Sequence, residues 1–197
     1  MKADYQSKRF RLEDDVAKRF PTEIRNTEAL IEGIQADMDT LGKHPHPEGG
    51  FIGMKVRGRN YLEKEPAGEA LMDAVANISQ TEPVEIGSYR GFAVTAQLNA
   101  FGSHSVMFKG KVEYTVDLGE SATGNITRID NALSRLTDHL ERYRAKLADL
   151  EQQLESSKVE AAKPFAMEAE LQAKSARLAE LDAALNLSGK AGGDAAA

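Results

Sequence analysis

The chain has 197 residues, no cysteine, no tryptophan and a formal net charge of −6. Without cysteine there is neither a disulfide framework nor a thiolate metal site. The acidity argues against a uniformly basic nucleic-acid binder, whose affinity would come from Lys and Arg on phosphates. No run of about 18 apolar residues occurs, so nothing is expected to span a membrane. The opening Met1-Lys2-Ala3-Asp4 lacks an apolar leader, and the expected location is cytoplasmic. Charged residues at 28% and aromatics at 6% fit helical surface better than a large globular core.

The first element expected is a helix. Val16, Phe20, Ile24, Thr27, Ile31, Ile34, Met38 and Leu41 recur at three- and four-residue steps, with Thr27 the one polar member. Pro21 falls early in the run and should kink or restart the helix. Gly42, Pro45 and Pro47 end it. From Gly49 to Gly119 the period changes to two. Phe51 to Leu62 reads as a pair of short strands folded over Arg57-Gly58-Arg59-Asn60. Pro66 to Ser79 reads as a short helix with Leu71, Met72, Val75 and Ile78 on one face. Phe92, Val94, Ala96 and Leu98 alternate with more polar neighbours, as do Val106 and Phe108, and Val112, Tyr114, Val116 and Leu118. Asn99 to His104 suits a hairpin tip, and Lys109-Gly110-Lys111 a second turn or bulge.

Next comes the strongest pattern in the chain. Ile126, Ile129, Leu133, Leu136, Leu140, Tyr143, Leu147, Leu150 and Leu154 form an unbroken heptad seam. A helix from Asn125 to Ser157 would be roughly 50 Å long. Lys163-Pro164-Phe165 interrupts the chain before a last periodic segment with Met167, Leu171, Leu178, Leu181 and Leu185, and Lys174 at an intervening position. Pro164 suits the first turn of that helix. These elements predict an α+β fold: a small antiparallel β head with a short helix, inserted in a long antiparallel, coiled-coil-like stalk. The expected divisions are 1–43 for the first stalk helix, 49–119 for the head, 124–187 for the remaining stalk and 188–197 for a disordered tail. Leu136, Leu140 and Leu147 should then face Ile24, Ile31 or Leu181, within one chain or across a homodimer built through the stalk.

Chemistry-bearing residues are few. His44, His46, His104 and His139 are scattered, and no phosphate-binding glycine loop of the GxxxxGK[ST] or GxGxxG kind occurs. His44-Pro45-His46 has metal-like adjacency, but its prolines make a stiff linker. No catalytic residue, metal ligand or cofactor is expected, and the chain is read as non-enzymatic. The candidate nucleic-acid contacts are Lys55, Arg57 and Arg59, with Arg90, Lys109 and Lys111 expected nearby and Lys43 adjacent in sequence. The same cations would also protect an edge hairpin against strand pairing. Two acidic clusters, Glu13-Asp14-Asp15 and Asp149, Glu151 and Glu155, read as solvated helix faces or as a negative rod for a basic channel.

Several long stretches carry a resemblance. They are Pro83 to Phe92, Lys109-Gly110 followed by Tyr114 to Gly119, Gly124 to Leu133, Lys163-Pro164-Phe165, and Lys174 to Leu181. Together, in this order and over nearly the whole chain, they resemble the C-terminal region of very large helicase–methylase polypeptides. Such polypeptides are carried by conjugative elements, plasmids and phages of Gram-positive gut bacteria. The resemblance implies an association with mobile-element DNA-processing machinery. It brings no catalytic residue, because the ATPase and methyltransferase motifs of those polypeptides lie outside this region. The chain is expected to be either a piece of such a polypeptide or a free-standing derivative. Two functions follow: an interaction module binding DNA or a helicase or methylase partner, or a counter-defence inhibitor (anti-CRISPR or anti-restriction) that blocks a host nuclease.

Overall fold

Pro21 shapes the first helical segment. The computed structural model describes residues 2–48, 50–99, 102–163 and 168–191. Helix α1 (Lys2–Asp14) is followed by a π-helical turn (Asp15–Arg19) and then α2 (Phe20–Lys43). Pro21 has no N–H, so the carbonyl four residues earlier lacks its helical partner, and one widened turn accommodates the mismatch. By contact density the chain divides into two compact units, Phe20–Gln152 and the pair of segments Met1–Arg19 and Gln153–Ala197.

In the Phe20–Gln152 unit, six strands form one antiparallel sheet in the order β2-β1-β3-β4-β5-β6. They are β1 (Met54–Val56), β2 (Arg59–Tyr61), β3 (Val84–Tyr89), β4 (Phe92–Leu98), β5 (His104–Lys109) and β6 (Glu113–Asp117). The sequence pattern marks five of these and passes over β3. Its alternation is spoiled by a bulge at Ile86, where the register shifts between Glu85 and Gly87. Gly87 also carries the close approach of β1. A Cβ there would lie 1.9 Å from the Lys55 carbonyl oxygen, so no other residue fits that pairing.

One face of the sheet is the core. Met54, Val56, Tyr89, Phe92, Val94, Ala96, Val106, Phe108, Tyr114 and Val116 are buried there. Against them pack α3 (Lys64–Ala76), through Ala67, Leu71, Ala74 and Val75, and α4 (Ala122–Ser134), through Ile126, Ile129 and Leu133. Ser121 caps α4 by accepting a hydrogen bond from the Gly124 N–H at 3.1 Å. Helix α2 adds Ile34, with Ile31, Met38 and Leu41 partly buried beside it. Thr27, the polar member of that stripe, is buried because its hydroxyl donates to the Glu23 carbonyl at 2.7 Å.

The expected stalk is not what these helices build. The α+β class and the antiparallel sheet stand, but no long coiled-coil stalk is present among the described residues. The heptad seam is cut at Arg135, between α4 and α5 (Leu136–Ala161). Its first half, Ile126 to Leu140, lies in the sheet's own core, with Tyr143 packed against it. Leu150 is buried, whereas Leu147 and Leu154 are only half-buried. A 3-4 spacing serves equally to lay a helix on a sheet, and the sheet takes the stripe that a partner helix would have taken.

In the last helix, α6 (Glu168–Ala191), the described seam positions are exposed, Leu178 at 63% and Leu181 at 53%, and the side chains of Leu171 and Leu185 lie outside the described residues. Leu181 also belongs to the other unit from Leu136, Leu140 and Leu147, so the expected pairing with it does not occur within a unit. Residues 188–191 of the expected disordered tail are helical. The rest of that tail, Pro164 and Met167, and the centre of the hairpin tip at 100–101 lie outside the described residues.

Candidate nucleic-acid interface

The strand register lines up part of the cationic set. Asn60, Lys55, Ser88, Ala93, Lys109 and Glu113 are consecutive cross-strand partners over β2, β1, β3, β4, β5 and β6. They share one row on the face opposite the core, because alternate residues of a strand point to opposite faces. With strands about 4.8 Å apart, Lys55 and Lys109 stand about 14 Å apart along that row. Both are exposed, as is Lys111 in the turn after β5. Lys109 and Lys111 line a 470 Å³ hollow together with Lys43, at the C-terminal end of α2.

The turn between β5 and β6 is fixed from beneath. Asp37 of α2, only 2% exposed, accepts the Lys111 N–H at 2.7 Å, the Val112 N–H at 2.8 Å and the Tyr114 phenol at 2.8 Å. Burial, and then the hydrogen bond to Asp37, push the Tyr114 phenol well above its ordinary value. A second anchor joins the loop after α2 to the sheet. Asp130 of α4 accepts the Tyr89 phenol at 2.5 Å and stands 3.1 Å from His46 Nε2. Burial, then this hydrogen bond, raise the Tyr89 phenol as well. Phe51 stacks on Tyr89 with ring centroids 5.8 Å apart.

The two arginine turns share one geometry. Arg57-Gly58 joins β1 to β2 and Arg90-Gly91 joins β3 to β4, each with both central residues at positive φ (46° and 81°, 48° and 85°). This is a type I′ hairpin, whose first central position strongly favours Asn, Asp or Gly. Arginine there costs backbone strain, and each side chain gives one hydrogen bond back. Arg57 Nη2 donates to the Ala74 carbonyl at 3.0 Å, in the last turn of α3, where carbonyls lack helical partners. Arg90 Nε donates to the His44 carbonyl at 3.1 Å.

The six cations are therefore not one patch. Lys55 and Arg90 line one 430 Å³ cavity, Lys55 and Arg57 line a second of 330 Å³, and Lys109 and Lys111 line the third hollow with Lys43. Arg59 is separate. It pairs with Val56 on the edge strand and so shares the core-side alternation, away from Lys55. Sequence reasoning passed over Asp37; it noted His44 only as half of a metal-like pair, Asn60 only in a hairpin turn, and Ser88 and Asp130 only within the resembling stretches. Asp37 left one trace: a carboxylate three residues after buried Ile34, on the apolar face of α2. Among the described residues no group of three or more His, Asp or Glu side chains could hold a metal ion. Nor is any helix there long and apolar enough to cross a membrane. No family model, no curated protein and no solved structure matches this chain.

Proposed function

We propose that this chain is a non-enzymatic interaction module of mobile-element DNA-processing machinery, and that it engages DNA phosphates through the cationic row and the end of the sheet. The observation that carries the reading is the register placing Lys55 and Lys109 on one exposed row, with Lys43 and Lys111 around the adjoining hollow. In a chain of net charge −6 these lysines are a local basic feature beside Glu113 of the row and Asp37 and Asp39 of the hollow, and a polyanion would meet the lysines. The link to mobile elements, and to a helicase or methylase as protein partner in the cytoplasm, rests on the resemblance of the stretches around Pro83, Gly124 and Lys174. Binding to short duplex and single-stranded DNA would be measured as a function of salt. Changing Lys55, Lys109 and Lys111 to Ala should flatten the slope of log K against log salt by about 0.9 for each phosphate contact on duplex DNA. A protein without measurable DNA affinity at low salt would refute the reading.

A second reading, an inhibitor of a host nuclease, is favoured by one observation. Phe10 is 71% exposed, and with exposed Leu178 and Leu181 it leaves large apolar side chains uncovered on the unit formed by the two ends of the chain. Inhibition of CRISPR or restriction cleavage at near-stoichiometric amounts, undiminished in the triple Ala variant, would replace the first reading with this one.

A further inference from the structure

The cavity between the β1–β2 hairpin and the Arg90-Gly91 turn has a more specific chemistry than the row beside it. Its volume of 430 Å³ falls within the range of small-molecule sites, roughly 300–1,000 Å³. Arg90 and Lys55 line it, together with Ser88, Asn60 and His44. Apolar side chains line it too: Ile52 is half-buried, and Leu62 is 77% exposed. Leu62 thus offers an apolar contact to whatever occupies the cavity beside the two cations.

Arg90 is mounted to receive an oxyanion. Its backbone is held at φ 48° in a two-residue turn. Its Nε is spent on the His44 carbonyl, which leaves the two terminal nitrogens of the fork unassigned. Gly91 keeps the turn against α2: a Cβ there would lie 2.7 Å from Thr40 Cγ2 and 2.8 Å from His44 Nδ1. His44 is itself oriented, with Nδ1 3.0 Å from the Thr40 carbonyl, so Nε2 is the nitrogen left over. A pre-oriented guanidinium loses little entropy on binding and fits a tetrahedral oxyanion with two parallel hydrogen bonds. Strain at a non-glycine residue persists where the surroundings over-determine it, and such residues cluster at ligand clamps.

We infer that this cavity binds one unpaired nucleotide, with its phosphate on Arg90 and Lys55 and its base laid over Leu62 and Ile52. The inference rests on the DNA-binding reading and deepens it. A duplex hides its base faces, so the occupant belongs to a single strand or a strand end. Ser88 and Asn60 supply neutral hydrogen bonds beside the phosphate. Lys55 is common to the cavity and the row, so a strand seated here would continue along the row toward Lys109.

The test uses the full chain and small probes. Thymidine 5′-monophosphate, thymidine and inorganic phosphate would be titrated separately and followed by calorimetry and by backbone NMR shifts. The monophosphate should bind at least tenfold more tightly than either part alone, with shifts at Lys55, Leu62, Ser88 and Arg90. Arg90→Gln should abolish the preference of the protein for the monophosphate over thymidine. Leu62→Ser, at an exposed position that cannot endanger folding, should abolish its preference over inorganic phosphate. Equal binding of monophosphate and inorganic phosphate, or an unchanged preference in Leu62→Ser, would overturn the inference. So would an acidic phosphopeptide outcompeting the nucleotide. The two readings fail separately. Nucleotide binding without any DNA affinity would sink the interaction-module reading alone. Salt-dependent DNA binding lost in the lysine variant, with no response to the monophosphate, would sink the cavity alone.

Discussion

Replacing Asp37 with Ala tests whether the β5–β6 turn is held by one carboxylate. Three donors converge on it at 2.7, 2.8 and 2.8 Å. Hydrogen bonds to a charged group are worth about 1.5–3 kcal/mol each, but the three cannot simply be summed. The Lys111 and Val112 amides sit in a turn whose residues are exposed or half-exposed, so water can replace the lost acceptor. The Tyr114 phenol is buried and loses Asp37 as its acceptor. We therefore expect a cost of about 2–4 kcal/mol, near the value of one unsatisfied buried donor plus part of the other two. In urea, with a slope of about 2 kcal/mol per molar, the midpoint should fall by about 1–2 M at unchanged slope. Tyr114→Phe should cost about 1–2 kcal/mol in the native background and almost nothing in Asp37→Ala, the non-additivity expected of directly bonded partners. A loss under about 1 kcal/mol, or strict additivity, would refute the argument.

Two further changes probe the sheet. Gly87→Ala brings a Cβ into the Lys55 carbonyl, so β1 and β2 should detach: amide exchange across Met54–Tyr61 should rise sharply while Phe92–Lys109 stays protected. Alkaline pH should destabilise the protein through Tyr89 and Tyr114. Burial and their aspartate partners raise both phenols, so above about pH 10 the native state keeps protons that the unfolded chain releases, and stability falls by up to about 1.4 kcal/mol per pH unit for each. The double Phe variant should lack that part of the alkaline decline, which pH-dependent urea titrations would measure.

Much of the sheet was legible, because half-buried strands must alternate. Phe92 to Leu98 and Tyr114 to Val116 do so plainly. Strand β3 was not legible: its bulge at Ile86 breaks the alternation, and Gly87 is there for the neighbouring backbone rather than for a local preference. The helices were legible as helices and misleading as a stalk. Periodicity reports that a stripe is buried, and it is silent on whether a sheet or a helix buries it. The candidate site was legible only as charges. Register decided that Lys55 joins Lys109 and that Arg59 does not, and register depends on the two-residue turns at Arg57-Gly58 and Arg90-Gly91, which fix strand pairing more strictly than any apolar pattern.

Those two turns put arginines beside a row whose own cations, Lys55 and Lys109, are lysines. A type I′ turn with Asn-Gly would have been less strained, and no fold requirement calls for a guanidinium there. At Arg57 the exchange is repaid within the fold, by the carbonyl end of α3. At Arg90 the single bond to His44 ties down a loop already held by His46 on Asp130 and by Phe51 on Tyr89. The loop has other anchors, so the strained arginine is redundant for holding it. Among the residues lining that cavity, Arg90 alone supplies a guanidinium fork, fixed at one nitrogen. The other anchors leave the fork's terminal nitrogens free of a structural task, and a planar fork matches an oxyanion with two parallel hydrogen bonds.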